Sequence, residues 1–307
     1  MLTGLIALLS VNAVFASTYT MEIVKVNPAL ENEESVTVFA NDGRVYEIEL
    51  QNKGLIEKAI LAQDTHLEVQ VKLSDSAGSE DLLELRNKIL SIELLSDLGD
   101  TAQTVETTIP RGFQKDRLFT NILENDYITD VASINTVESL FRGQRRDTKR
   151  KSQCYNRAHV WAYEMSAQRL NGRRVQMGKM WIFFTSRYIR DYKYKWWFHI
   201  SPYLTQSGRI MVMDRTFLSR PADLQYWTDQ FISTREVCKT VRKYSDYELN
   251  QRARNCFLMK TSVHYWQPWQ IKNAETRGEA QTDWNRYEIK KAYRNAIGRF
   301  SRIPDIN

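Results

Sequence analysis

Only four histidines and three cysteines occur among 307 residues, and they are dispersed: His66, His159, His199 and His264; Cys154, Cys238 and Cys256. There is no CxxC pair and no HExxH helix, so the donor sets of zinc sites are missing and no metal is expected. No RRM, KH or zinc-finger pattern occurs, which argues against nucleic acid as a partner despite the net charge of +6. Beyond the first sixteen residues no apolar run is long enough to cross a bilayer, so no membrane partner is expected. A hydrophobic content of 42% in turn excludes general disorder.

What is present is unevenly distributed. Residues 1–16, "MLTGLIALLSVNAVFA", are uncharged and mostly apolar and end on small residues, as a secretory signal peptide does. The missing Lys or Arg in its first positions also leaves room for a buried N-terminal strand. Export predicts a secreted or periplasmic location, where disulfides persist. Residues 17–110 hold 18 Asp/Glu against 7 Lys/Arg, a charge of −11, and residues 111–307 hold 19 against 36, a charge of +17. All eight tryptophans lie beyond residue 160. Two domains are expected, an acidic one at 17–110 and a basic one at 111–307.

In the acidic part "MEIVKV", "SVTVFA", "RVYEIEL" and "HLEVQVKL" read as strands. "KGLIEKAILAQ" has helical spacing, and "SEDLLELRNKILSIELL" offers an acidic helix start. The part contains no nucleophile, metal cluster or phosphate loop and reads as a small α+β domain. Its charge complements the rest of the chain, so it is either a propeptide covering the basic domain, acting as an intramolecular inhibitor, or a permanent accessory domain.

Among the cysteines, Cys238 and Cys256 share one late segment and are 18 residues apart, a spacing suited to a disulfide. Cys154 is then free, at the head of "CYNRAHVWAYEM". Ala158, Trp161, Ala162 and Met165 follow it at helical spacing and form one inward stripe. His159 is rotated about 140° from Cys154 around such a helix and cannot easily be its partner. A helix N-terminus favours a thiolate and offers N–H groups to an oxyanion. Helix position alone also fits a buried structural cysteine, so a base is needed to decide.

Three strand-like segments follow at 175–186, 195–204 and 209–218, the last two joined by "TQSG". Pairing Leu204 with Arg209 across that loop sets His199 opposite Asp214 on one face. A carboxylate there fixes the imidazole tautomer and leaves the other ring nitrogen for a thiol. A one-residue slip would separate the two. Cys at a helix N-terminus with His and Asp on neighbouring antiparallel strands is the α+β arrangement of papain-like and transglutaminase-like hydrolases.

"CYNRAHVWAYEM", "WWFHISPYL" and "VMDRTFLSRPADLQYWTDQF" resemble, in order, the three catalytic segments of bacterial protein glutaminases, which are protein-glutamine deamidases. "ITDVASINTVESLF" is similar to the segment that opens the mature enzyme in that family, and the resemblance covers about residues 125–235. The acidic region matches the family's pro-region only in position and size. The basic approach "GQRRDTKRKSQ" and the long segment 236–307, which has no functional assignment, depart from the family pattern.

The resemblance implies a papain/transglutaminase-like catalytic domain preceded by a small pro-domain. It makes Cys154 the nucleophile, His199 the general base and acid, and Asp214 the group orienting His199. Glutamine side chains of accessible protein substrates would be hydrolysed to glutamate through a Cys thioester with release of ammonia, without a cofactor. Trp196, Trp197, Tyr203 and Trp227 are candidate walls of the substrate cleft, though core packing explains such residues equally well. The same triad would also serve a cysteine protease or a transglutaminase, and a secreted binding module with a merely buried Cys154 needs no triad at all.

Overall fold

The computed structural model describes residues 17–29, 33–74, 86–95, 128–148, 153–232, 237–298 and 303. The expected signal peptide and the boundary near residue 110 lie outside them. Two sheets carry the fold, each with its own core.

The first sheet is antiparallel with strand order β3-β2-β1-β4-β5, built from β1 Ser17–Asn27, β2 Ser35–Ala40, β3 Val45–Glu49, β4 Glu68–Leu73 and β5 Ile89–Leu94. Alternation does the work in β4, where Val69, Val71 and Leu73 are buried between exposed polar neighbours. Helix α1, Lys53–Thr65, closes the core through Ala59 and Ala62 and ends at His66 in the left-handed conformation. The apolar residues at 89–94, expected to continue a helix, form β5 instead. "ILSIEL" carries both periodicities, and the open edge of β4 decides for the strand by burying Ile89 and Ile92.

The second sheet runs β12-β11-β10-β9-β14-β13, with β6 pairing alongside β10. Its members are β6 Asp130–Val131, β9 Gly178–Phe184, β10 Phe198–Gln206, β11 Arg209–Val212, β12 Ala222–Asp223, β13 Lys239–Thr240 and β14 Cys256–Ser262. A small hairpin of β7 Arg169–Leu170 and β8 Arg173–Arg174 stands apart. β9 is buried at every position, as expected of a central strand covered on both faces. At its start only glycine fits: a Cβ on Gly178 would lie 2.4 Å from the Tyr203 ring.

The β10–β11 register differs from expectation. The turn is the two-residue Ser207-Gly208, both with positive φ, and Leu204 pairs with Met211. The shift is two residues, and because side chains alternate with a period of two, His199 keeps its face. β11 ends at Val212, so Asp214 lies just beyond the strand and not in the ladder.

Five helices flank this sheet near the site and the chain's end: α2 Ile134–Gly143, α3 Cys154–Ser166, α4 Ser186–Asp191, α5 Leu224–Asp229 and α6 Tyr244–Leu249. α7 Pro268–Arg277 and α8 Arg286–Ile297 complete the chain. The inward stripe of α3 is present, but Asn156, Arg157 and His159 are buried as well. The reason is the late segment, which does not merely wrap the sheet. It inserts β14 beside β9 and lays α8 against the far side of α3.

Candidate active site

Cys154 occupies the first position of α3 and is 2% exposed. His199, the second residue of β10, is buried with its Nε2 2.6 Å from Asp214 Oδ2. Three donors meet the Asp214 carboxylate: His199, the Trp227 indole N–H at 2.9 Å on Oδ2, and the Thr216 backbone N–H at 3.0 Å on Oδ1. The last is an Asx turn, the local chemistry that lets Asp end a strand. Arg157 of α3 donates to the Thr216 hydroxyl at 3.1 Å, tying the helix that bears Cys154 to the Asp214 turn.

The electrostatics follow from burial. Desolvation pulls the His199 imidazole down, but the Asp214 charge and hydrogen bond, with a contribution from Cys154, outweigh it and raise its pKa to about 9. Burial pushes the Asp214 carboxyl up, and His199, Trp227 and Thr216 more than reverse this, leaving it below its ordinary value. The remaining ring nitrogen, Nδ1, makes no aligned hydrogen bond; the Cys154 thiol is the side chain that acts on it. Phe217 and Phe231 stand edge-on and tilted against the imidazole at 5.1 and 4.8 Å, keeping the pair dry. Among the described residues no three His, Cys, Asp or Glu are grouped to hold a metal.

Cys154, His199 and Asp214 are thus brought together, and Cys238 and Cys256 form a disulfide with Cα atoms 4.7 Å apart. His159 points away, with its Nδ1 2.6 Å from Lys179 Nζ. The four aromatic wall candidates divide. Trp196 borders the site, its ring centroid 6.4 Å from that of His199, while Trp197 is buried against Phe39, Phe183 and Phe198 beneath the β2–β3 turn; Trp227 is fully buried behind Asp214, and Tyr203 fills the space over Gly178 about 13 Å along β10 from His199. Trp227 and Tyr203 are therefore core residues and do not line a cleft. Thr216, Phe217, Arg157 and Phe231 were not singled out from the sequence. Only Thr216 carried a local signal, as the second residue after an Asp that ends an apolar run.

The turn between β2 and β3 covers the site. Gly43, with φ +87°, sits so close that a Cβ there would be 2.9 Å from the Phe198 carbonyl and 3.5 Å from Cys154 Sγ. The Trp197 N–H donates to the Gly43 carbonyl at 2.8 Å, and the Val45 N–H donates to the Lys195 carbonyl at 2.7 Å, so the hairpin adds on as a short strand. Trp197 also donates its indole N–H to the Ala40 carbonyl at 2.6 Å and stacks on Phe39. Arg44 lies over the Trp196 ring. Arg86, paired with Glu47, donates to the carbonyls of Tyr194 and Ile189.

A helix-borne thiol beside a buried His–Asp pair is the side-chain set of cysteine-dependent acyl-transfer hydrolases. Residues 128–231, which contain all three groups, match the family model described as Glutaminase. The match spans about a third of the chain, and over this segment the chain is similar to glutaminases, hydrolases that release ammonia from glutamine side chains. None of the curated proteins matches. Among solved structures, pro-protein-glutaminase is similar at 14% identity, covering 94% of this chain and 96% of that one with a TM-score of 0.44. A mutant of pro-protein-glutaminase gives 16% identity, 81% and 83% coverage, and a TM-score of 0.45. The protein-glutaminase from Chryseobacterium proteolyticum gives 13% identity, 59% and 97% coverage, and a TM-score of 0.33.

Proposed function

We propose that Cys154, His199 and Asp214 form the catalytic triad of a papain/transglutaminase-like protein-glutamine deamidase. The observation that carries this reading is the buried His199–Asp214 pair beside the first residue of α3. The Cys154 thiolate attacks the side-chain carboxamide carbon of a protein-bound glutamine, and N–H groups of the first turn of α3 receive the oxyanion. The His199 imidazolium gives its proton to the departing nitrogen, which leaves as ammonia. Neutral His199 then takes a proton from water as the water adds to the thioester, and collapse returns the thiol and releases glutamate. Asp214 holds the imidazole and stabilises its charge, and it is held in turn by Trp227 and Thr216.

In the same reading residues 17–110 are an inhibitory pro-domain whose β2–β3 turn occupies the substrate's place. The contacts of Gly43, Trp197 and Arg86 support this. Trp196 and Trp197 are the walls a substrate strand meets once the turn leaves. Export to an oxidising compartment is supported by the Cys238–Cys256 disulfide; among the described residues no helix is long and apolar enough to cross a membrane.

The test is ammonia release from a protein substrate after protease activation, with mass spectrometry of the product. A gain of about one dalton at glutamines is expected, from the replacement of NH2 by OH. Cross-linked products would indicate transamidation and fragments would indicate proteolysis. Cys154→Ala should abolish the reaction, and retained activity in that variant overturns the triad.

A further inference from the structure

The segment 256–297 lies outside the matched family region, yet it fastens to α3 at three levels. At the first turn, the Trp266 indole N–H donates to Asn156 Oδ1 at 3.1 Å, and Asn156 Nδ2 donates to Gln153 Oε1 at 2.6 Å. Asn156 is completely buried, and both ends of its amide are used by these two bonds. Gln153 is the residue immediately before Cys154 and occupies the N-cap position of the helix that carries it, without a side-chain bond to its backbone. The Trp266 ring also stands edge-on to Tyr155 at 5.4 Å and tilted on His159 at 5.9 Å, so it touches both sides of that turn. At mid-helix, Lys179 Nζ links His159 Nδ1 to the Tyr265 carbonyl, each at 2.6 Å. At the last turn, the Tyr293 hydroxyl donates to Glu164 at 2.9 Å.

We infer that Trp266 is a positioning residue for the nucleophile: through Asn156 and Gln153 it sets the first turn of α3, and with it the orientation of Cys154 toward His199. The inference rests on Cys154 being the nucleophile. The clamp acts at the end of α3 that bears the thiol. Helix ends fray first, and the N–H groups that favour a thiolate are those of the first turn. α3 starts without a side-chain cap on its backbone, so the side-chain ladder Gln153–Asn156–Trp266 stands where a cap would. The bond at Tyr293 holds the opposite end of the helix, about three turns from the chemistry, and serves stability alone.

The experiment compares full-length wild type, Trp266→Phe, Asn156→Leu and Tyr293→Phe. Steady-state deamidation is followed after protease activation, and the ultraviolet thiolate signal at neutral pH is read on the intact chain by difference from Cys154→Ala. Trp266→Phe should lower kcat about tenfold with KM changed less than about twofold, the signature of misplaced reacting groups, and should weaken the thiolate signal. Asn156→Leu breaks the same ladder from the other side and should give the same split. Tyr293→Phe should lower the unfolding temperature and leave kcat and the thiolate signal alone. Wild-type kcat and thiolate signal in either ladder variant overturns the inference, as does a kcat loss in Tyr293→Phe that scales equally with its loss of stability. If wild type itself releases no ammonia, the functional reading fails, and the thiolate comparison still decides whether Trp266 sets the thiol.

Discussion

Asp214 Oδ2 accepts from two donors, and only one of them is the imidazole. Replacing Trp227 by Phe keeps the ring and removes the second donor, a hydrogen bond to a charged group worth about 1.5–3 kcal/mol. If half of that is felt in the transition state, kcat falls roughly threefold to tenfold. Unchanged kcat in Trp227→Phe would take the indole out of the network. The pair also sets a pH window. His199 titrates at about 9 in the folded chain against about 6.5 unfolded, so its stabilising contribution is complete below 6.5 and is lost as pH rises through about 9. From the carboxylate's side the same ion pair is lost as pH falls through a value below 3.8. Unfolding of wild type and Asp214→Asn should therefore converge at strongly alkaline pH, and a gap that stays constant would contradict the pairing. His199 was legible in the sequence because a two-residue register error leaves a side chain on its face. Trp227 was not, because composition does not say which way an aromatic ring's polar edge points.

β14 and the disulfide show what element-scale reading can and cannot supply. The 18-residue spacing of Cys238 and Cys256 was enough to pair them, but not to place Cys256 inside the sheet opposite Phe184. An apolar run such as "CFLMKTS" looks the same whether it lies at an edge or in the middle of a sheet; strand order depends on contacts far apart in sequence. Similarly, 89–94 could be helix or strand until β4 offered an edge. The disulfide closes the loop that returns the chain to β14, and in the loop-entropy account it stabilises by about 3 kcal/mol. Cys238→Ala/Cys256→Ala should unfold at correspondingly lower urea with an unchanged slope, as should wild type under reductant. A loss below about 1 kcal/mol would mean that the loop is already ordered in the unfolded chain.

Across the whole molecule, a charge of −11 against +17 favours docking of one part on the other but does not say how they meet. The contact at the site is made of backbone hydrogen bonds and stacked rings around Gly43, with ion pairs such as Lys291–Glu68 lying at the rim. The hairpin bonds therefore define the attachment at the site, and the ion pairs only flank it. Gly43 is the point of least tolerance: its positive φ disfavours any side chain, and a Cβ meets the Phe198 carbonyl, which is backbone and cannot step aside. A steric conflict of this kind costs about 1–3 kcal/mol, or about fivefold to 150-fold in the closed-to-open ratio. Gly43→Val should accordingly raise ammonia release by the intact, uncleaved chain at least about fivefold. Arg86→Ala, which removes the donors to Tyr194 and Ile189, should act in the same direction. Added salt should raise the activity of the intact wild-type chain far less than either substitution, because it screens the rim and leaves the hairpin bonds in place. If salt alone opens the site as fully as Gly43→Val does, the proposed inhibition would rest on long-range charge and not on the β2–β3 turn.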